Sequence, residues 1–317
     1  MTELFHMSSS VIPSESVFAD ISRDGLLKFA MILCTFVIDA VLLLTLGLQI
    51  LPYELIRPFA VSVVLLSGAW WYQKKKEAAF VMSLFSLTQV VLFTTSFTIL
   101  MYCCAALNAP LVDRQLRSID LFLGVDIAAI KAWCDTWPTL RLMLTVAYNS
   151  MILQTALVVI VLGFSERRMD LENFVLQFMA TTLVTAVCFA LLPAESTCGT
   201  YGYSPSAAQQ LFLNDLHAVR SGQLSVISLT NAQGLITIPS YHTTWAILLA
   251  WSLRNVAWIR YPIVLLNIAV VAATMALGWH YFIDIIAGAL LAVAGIGLTH
   301  RLNAWMYDNQ GRPRTVV

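Results

Sequence analysis

Eight stretches of the chain are apolar and long enough, or nearly so, to cross a bilayer as helices, and no other feature limits the fold as strongly. They run approximately over residues 29–51, 55–72, 79–104, 140–163, 174–193, 241–257, 261–278 and 281–300. A hydrocarbon core takes about 20 apolar residues per helix, because lipid offers the backbone no hydrogen-bond partner. The charge content agrees: 11% of residues are charged, against roughly a quarter in soluble domains. The expected class is an all-α integral membrane protein with about eight transmembrane helices. The second stretch, around Pro58, is short, and a re-entrant path is its alternative.

The pattern divides the chain into a polar segment at 1–28, a transmembrane hairpin at 29–78, a six-helix core at 79–300 and a tail at 301–317. No internal repeat is visible. Lys and Arg together equal Asp and Glu in number, so no basic excess points to nucleic acid as a partner. The positions of the basic residues set the orientation. With eight spans, Arg23, Lys28, Lys74, Lys75, Lys76, Arg167, Arg168, Arg254, Arg260, Arg301, Arg312 and Arg314 fall on one face, while the other holds Arg57, Arg114, Arg117, Lys131, Arg141 and Arg220. Short basic loops stay cytoplasmic, which puts both termini inside and the long loops 105–139 and 194–238 outside, in a periplasm or a lumen.

The first outer loop carries Asp113, Asp120 and Asp126, and its Leu116, Ile119 and Leu123 have the spacing of an interfacial amphipathic helix. Cys134 and Cys198 lie in the outer loops, where an oxidising compartment would allow them to pair. Asp39 falls mid-span in the first helix, so its carboxyl is expected to be protonated or bound to a neighbouring helix.

Two polar clusters stand at helix ends on the outer face. The first is Ile238-Pro239-Ser240-Tyr241-His242-Thr243-Thr244, where Ser240 can cap a helix whose free N–H groups and dipole favour an anion. The second is Gly278-Trp279-His280-Tyr281-Phe282-Ile283-Asp284, where a separation of four places His280 and Asp284 on one helical face. An out-and-back helix pair between the clusters would bring them together. Two histidines and a carboxylate suit phosphoryl transfer: His280 as nucleophile, Asp284 hydrogen-bonded to its second nitrogen, and His242 as general acid and then base. Ser240, Tyr241 and nearby amides would hold the phosphorylated substrate, with Arg220 and then Arg114 as candidate phosphate ligands. The chemistry requires no cofactor and no metal, although two histidines and a carboxylate can also ligate zinc or iron.

The strings GLITIPSYHTTWA and GWHYFIDIIAG resemble the second and third signature motifs of the type 2 phosphatidic acid phosphatase superfamily. HYFIDIIAG, with DRQLRSIDLFLGVD in the first outer loop, is most similar to its aureobasidin-resistance branch, which includes inositol phosphorylceramide synthases. The resemblance implies a six-helix core, a phosphorylated lipid substrate among membrane lipids, and a phosphohistidine intermediate, with His242 matching the family's acid, His280 its nucleophile and Asp284 its orienting carboxylate. Two departures stand out: the first motif, with its Lys and Arg-Pro pair, has no counterpart, and Thr274 occupies the place of the third motif's Arg. The resemblance leaves open hydrolysis or head-group transfer. A non-catalytic lipid-binding protein and a transporter are the readings from other classes.

Overall fold

The computed structural model describes residues 14–308, with side chains from 25 to 304. The start of the polar N-terminal segment, and Arg312 and Arg314 of the tail, lie outside the described residues. The fold is an all-α membrane bundle. Its helices are α1 Ser14–Leu46, α2 Pro52–Lys74, α3 Ala78–Ala106, α4 Asp113–Phe122, α5 Ile127–Asp135, α6 Pro138–Asn149, α7 Met151–Phe164, α8 Arg168–Leu191, α9 Thr197–Tyr201, α10 Ala207–Arg220, α11 Tyr241–Ser252, α12 Arg260–Ala276 and α13 Phe282–Asp308.

Five helices are long and apolar enough to span: α1 from Gly25, α2, α3, α8 and α13 to Ala304. The short second stretch is thus a full helix of 23 residues that includes Pro58. The pair α6 and α7 makes a sixth path, bent by 50° at Ser150. The last hairpin departs from expectation. Helix α11 has 12 residues, about 18 Å at 1.5 Å per residue, against a hydrocarbon core of about 30 Å. The apolar run continues past it, but Arg254 and Asn255 interrupt it and the backbone turns before α12 begins.

Helices α1 and α2 pack on α3, which packs on α7 and α8, and α11 sits among α8, α12 and α13. Phe174, Phe178, Leu162, Leu249 and Val270 anchor the central core. Apolar side chains such as Leu44 and Val64 on the N-terminal hairpin point outward, as a lipid-facing surface requires. Within the hairpin, Asp39 accepts a hydrogen bond from Ser96 Oγ at 2.5 Å, tying α1 to α3.

A cap of short elements covers one end of the bundle. It comprises α4, α5, α9 and α10, and a two-residue parallel pairing of β1 (Gln49–Ile50) with β2 (Val226–Ile227). The expected amphipathic helix is present as α4, but its faces differ from the reading above. Asp113, Leu116 and Asp120 are buried, while Ile119, Phe122 and Leu123 face outward. The two carboxylates turn inward because they have backbone partners there. Cys134 and Cys198 are both buried and free, so the expected pairing is absent; Cys134 packs instead with Leu144, Ala273 and Ala276.

Candidate active site

The turn between α12 and α13 is held by its backbone. Thr274 O accepts the amides of Trp279 and His280, both at 3.0 Å, closing α12. Gly278 has φ +75°, and a Cβ there would lie 2.3 Å from Tyr203 Oη, so only glycine fits. Four donors converge on Gly278 O: Gln209 Nε2 at 2.7 Å, Thr197 Oγ1 and Tyr203 Oη at 2.8 Å each, and Ser196 Oγ at 3.3 Å. A carbonyl offers two lone pairs, so this position is over-determined. Two residues later stands His280.

Helix α13 is fixed from outside its own sequence. Asp120 of α4 accepts the amides of Phe282 at 2.8 Å and Ile283 at 2.9 Å. These are two of the N–H groups that every helix start leaves without an internal partner. Asp113 accepts Tyr281 Oη at 2.8 Å and Glu195 N through both oxygens at 3.0 Å. Burial raises the pKa of both carboxyls above the usual range, and these hydrogen bonds lower it. Helices α11 and α13 then meet closely at Gly288, where a Cβ would fall 2.3 Å from Ser240 O, while Thr244 Oγ1 donates to Gly288 O at 2.8 Å.

This frame brings His242, His280 and Asp284 together. His280 Nδ1 lies 2.8 Å from Thr237 O; since a carbonyl only accepts, Nδ1 carries the proton and Nε2 presents a lone pair. His280 Nε2 lies 3.4 Å from His242 Nδ1. The hydrogen bond expected from His280 to Asp284 is not made: Asp284 Oδ2 stands 3.6 Å from Nδ1 and accepts Tyr281 N at 3.0 Å. The Thr237 carbonyl, two residues before Pro239, takes its place. Asp284 Oδ1 is buried with no partner. Burial pushes the His280 imidazole down to about 4, against the opposing effect of the Thr237 bond, so it is neutral at physiological pH.

The PAP2 superfamily profile matches residues 114–298, more than half of the chain, and spans all three of these residues. The chain belongs to the PAP2 superfamily. No curated protein and no solved structure matches it.

Of the remaining candidates in this PAP2 protein, Ser240 joins the site through its backbone, its amide donating to Asp284 O at 3.0 Å. Ser240 is fully buried and caps α11, accepting Thr243 N at 3.3 Å, so its hydroxyl serves the helix start. Tyr241 turns into the bundle, where its hydroxyl accepts from Thr182 and donates to Phe178 O at 3.2 Å. Arg220 Nη2 donates to Ala109 O at 2.8 Å, and its Nη1 is buried without a partner. Arg114 is exposed on α4. Neither arginine forms an ion pair or hydrogen bond with the three central residues. Thr274, in place of an arginine, spends its hydroxyl on Val271 O. A cation beside the His280 turn is Lys131, whose Cδ would lie 3.1 Å from a Cβ at Gly278 and whose Nζ pairs with Asp135 at 2.5 Å.

Residue-type patterns did not point to Tyr148 or Thr237. Tyr148, on α6, stacks on His242 with centroids 4.3 Å apart and planes at 22°; its ring is also parallel to Trp279 at 6.0 Å. Thr237 acts through a main-chain oxygen, which no side-chain motif advertises.

Proposed function

We propose that this PAP2 protein is a membrane lipid phosphatase or phosphotransferase that works through a phosphohistidine on His280. The observation that carries the reading is the tautomer: the Thr237 carbonyl holds the proton on Nδ1 and leaves the Nε2 lone pair facing His242. Nε2 attacks phosphorus, the bond to the lipid oxygen breaks, and His242 protonates the departing alkoxide. Positive charge then develops on His280, and Asp284, 3.6 Å away with one oxygen unpartnered, stabilises it. In the second half His242 takes a proton from water or an alcohol, whose oxygen attacks phosphorus and returns the lone pair to Nε2.

A lipid substrate is supported by a groove of about 600 Å³ between α11, α12 and the start of α13, apolar except at Arg254 and Asn267 and reaching Phe282 and Ile285 on either side of Asp284. The distribution of Lys and Arg supports a site on the periplasmic or lumenal face. One observation favours head-group transfer of the inositol phosphorylceramide synthase kind. Asp120 of the DRQLRSIDLFLGVD string binds the amides of Phe282 and Ile283 in HYFIDIIAG, so the two strings most similar to that branch form one joint.

Purified wild type and His280→Ala protein, assayed on a panel of lipid phosphates and phosphodiesters with and without alcohol acceptors, test the reading. Wild type should release phosphate or form a transfer product, and the variant should lose at least about a thousandfold. The acid limb of the wild-type kcat/KM should lie near pH 4 and not near 6.5, because it is neutral His280 that attacks and burial lowers its pKa, while the opposing limb marks loss of the His242 proton, whose hold burial and the neighbouring His280 also weaken. Equal turnover by the two proteins would sink the nucleophile assignment.

A further inference from the structure

The separation of 3.4 Å between His280 Nε2 and His242 Nδ1 is too short for the reaction it serves. A nucleophile about 3 Å from phosphorus and an acid about 3 Å from the leaving oxygen require the two nitrogens to stand much further apart. The rings must part when substrate enters, and His242 must then present its proton to a defined atom. What guides it is not on α11.

The group in place is the ring of Tyr148. It covers one face of the His242 imidazole at 4.3 Å and 22°. In this stacked geometry the hydroxyl lies over the imidazole, not in its plane, so its 3.4 Å approach to Nδ1 is a contact of surfaces more than a directed hydrogen bond. Offset stacking is a favoured arrangement of two aromatic rings and persists as one slides across the other. An imidazole held by one face can therefore slide in its own plane while keeping its orientation. Trp279, beside the nucleophile, is parallel to the same tyrosine at 6.0 Å and 9°, so one ring refers the acid to the turn that bears His280. Tyr148 also stands two residues before the 50° break between α6 and α7, on a half-helix that packs against α12 and α5.

We infer that Tyr148 is the positioning residue for His242, keeping the imidazole oriented as a general acid while the histidines separate around the phosphoryl group. This rests on the acid role of His242 proposed above. It makes the aromatic face the working part, with the hydroxyl dispensable.

The test uses two leaving groups. A lipid phosphate expels an alkoxide that needs a proton, whereas p-nitrophenyl phosphate expels a phenolate that does not. Because His242 also serves both substrates alike as base in the second half, leaving-group release is read in a single turnover. Tyr148→Leu should slow alcohol release from the lipid phosphate roughly a hundredfold, the scale of a misplaced catalytic group, and change p-nitrophenolate release less than about threefold; Tyr148→Phe should stay within about threefold of wild type on both. Tyr148→Ala serves as a second variant should the Leu protein fail to fold. His242→Ala is the reference and should show the same dependence on leaving group. Equal losses on both substrates in Tyr148→Leu or Tyr148→Ala would make the tyrosine merely structural, and a Phe variant as impaired as Leu would shift the role to the hydroxyl; either outcome overturns the inference. Should His242→Ala lose both substrates alike, the acid role itself is wrong and the inference falls with it.

Discussion

The two ends of the bundle differ in their carboxylates. The histidine end has the Asp135 pairs with Lys131 and Arg141 and the Glu195 pair with His217, but among the described residues it alone adds a set that binds backbone amides. At the end that holds the histidines, Asp113, Asp120, Asp126, Asp284 and Glu54 each accept at least one backbone amide, from Glu195, from Phe282 and Ile283, from Ala128 and Ala129, from Tyr281 and from Thr230. At the far end, Asp170 pairs with Arg167 at 2.8 Å and Arg254 at 3.2 Å, and Glu172 pairs with Arg168 at 2.7 Å, all partly exposed. A carboxylate on an amide fixes the course of the main chain, whereas one on an arginine fixes only the tips of two long side chains. The first kind of bond builds a site, and the second adds little to stability where water competes.

The largest effect should come from Asp120→Ala. It strands two part-buried amides at the start of α13, which on the scale of roughly one to three kcal/mol per unsatisfied group destabilises the protein by about 2–6 kcal/mol. It should also lower lipid phosphate turnover roughly a hundredfold through displacement of Asp284 and His280. Denaturant titration in detergent and steady-state kinetics check the two parts; an active, stable variant would break the comparison. Tyr281→Phe is a milder form of the same insult. It removes the hydroxyl that donates to Asp113 at 2.8 Å and accepts from Thr200 Oγ1 at 2.9 Å, leaves Asp113 its Glu195 amide, and should cost about 1–2 kcal/mol with a smaller loss of turnover. The smallest effect belongs to the far end. Arg168→Ala removes the pairing with Glu172, should cost less than about 1 kcal/mol and should leave kcat on every substrate within error; a large loss there would erase the distinction between the ends.

Much of the helical layout was legible in the sequence, because spanning segments announce themselves by composition. The exception, α11, shows the limit: Leu253, Val256 and Ala257 prolong the apolar run, yet Arg254 finds Asp170 and its own carbonyl partner at Trp251, and the backbone turns. Hydropathy averages over such a turn. In the site, the meeting of His242, His280 and Asp284 followed from their spacing at two helix starts. Ser240, Tyr241 and His242 diverge at the start of α11: Ser240 caps the helix and donates its amide to Asp284 O, Tyr241 turns into the bundle, and His242 faces His280. Asp120 was visible as a loop carboxylate, but its partners are amides and carry no residue signature. Thr237 is illegible for the same reason.

One consequence of the Asp120 joint concerns variation. Because Asp120 grips Phe282 and Ile283 by their amides, it is indifferent to the side chains those positions bear, and Phe282 is free to shape the wall of the groove beside it. On the function proposed above, a substitution there retunes which hydrocarbon chain fits without loosening the turn that carries His280. On that reading the geometry separates what the protein accepts from how it reacts, and lets selection act on the first while the second stays in place.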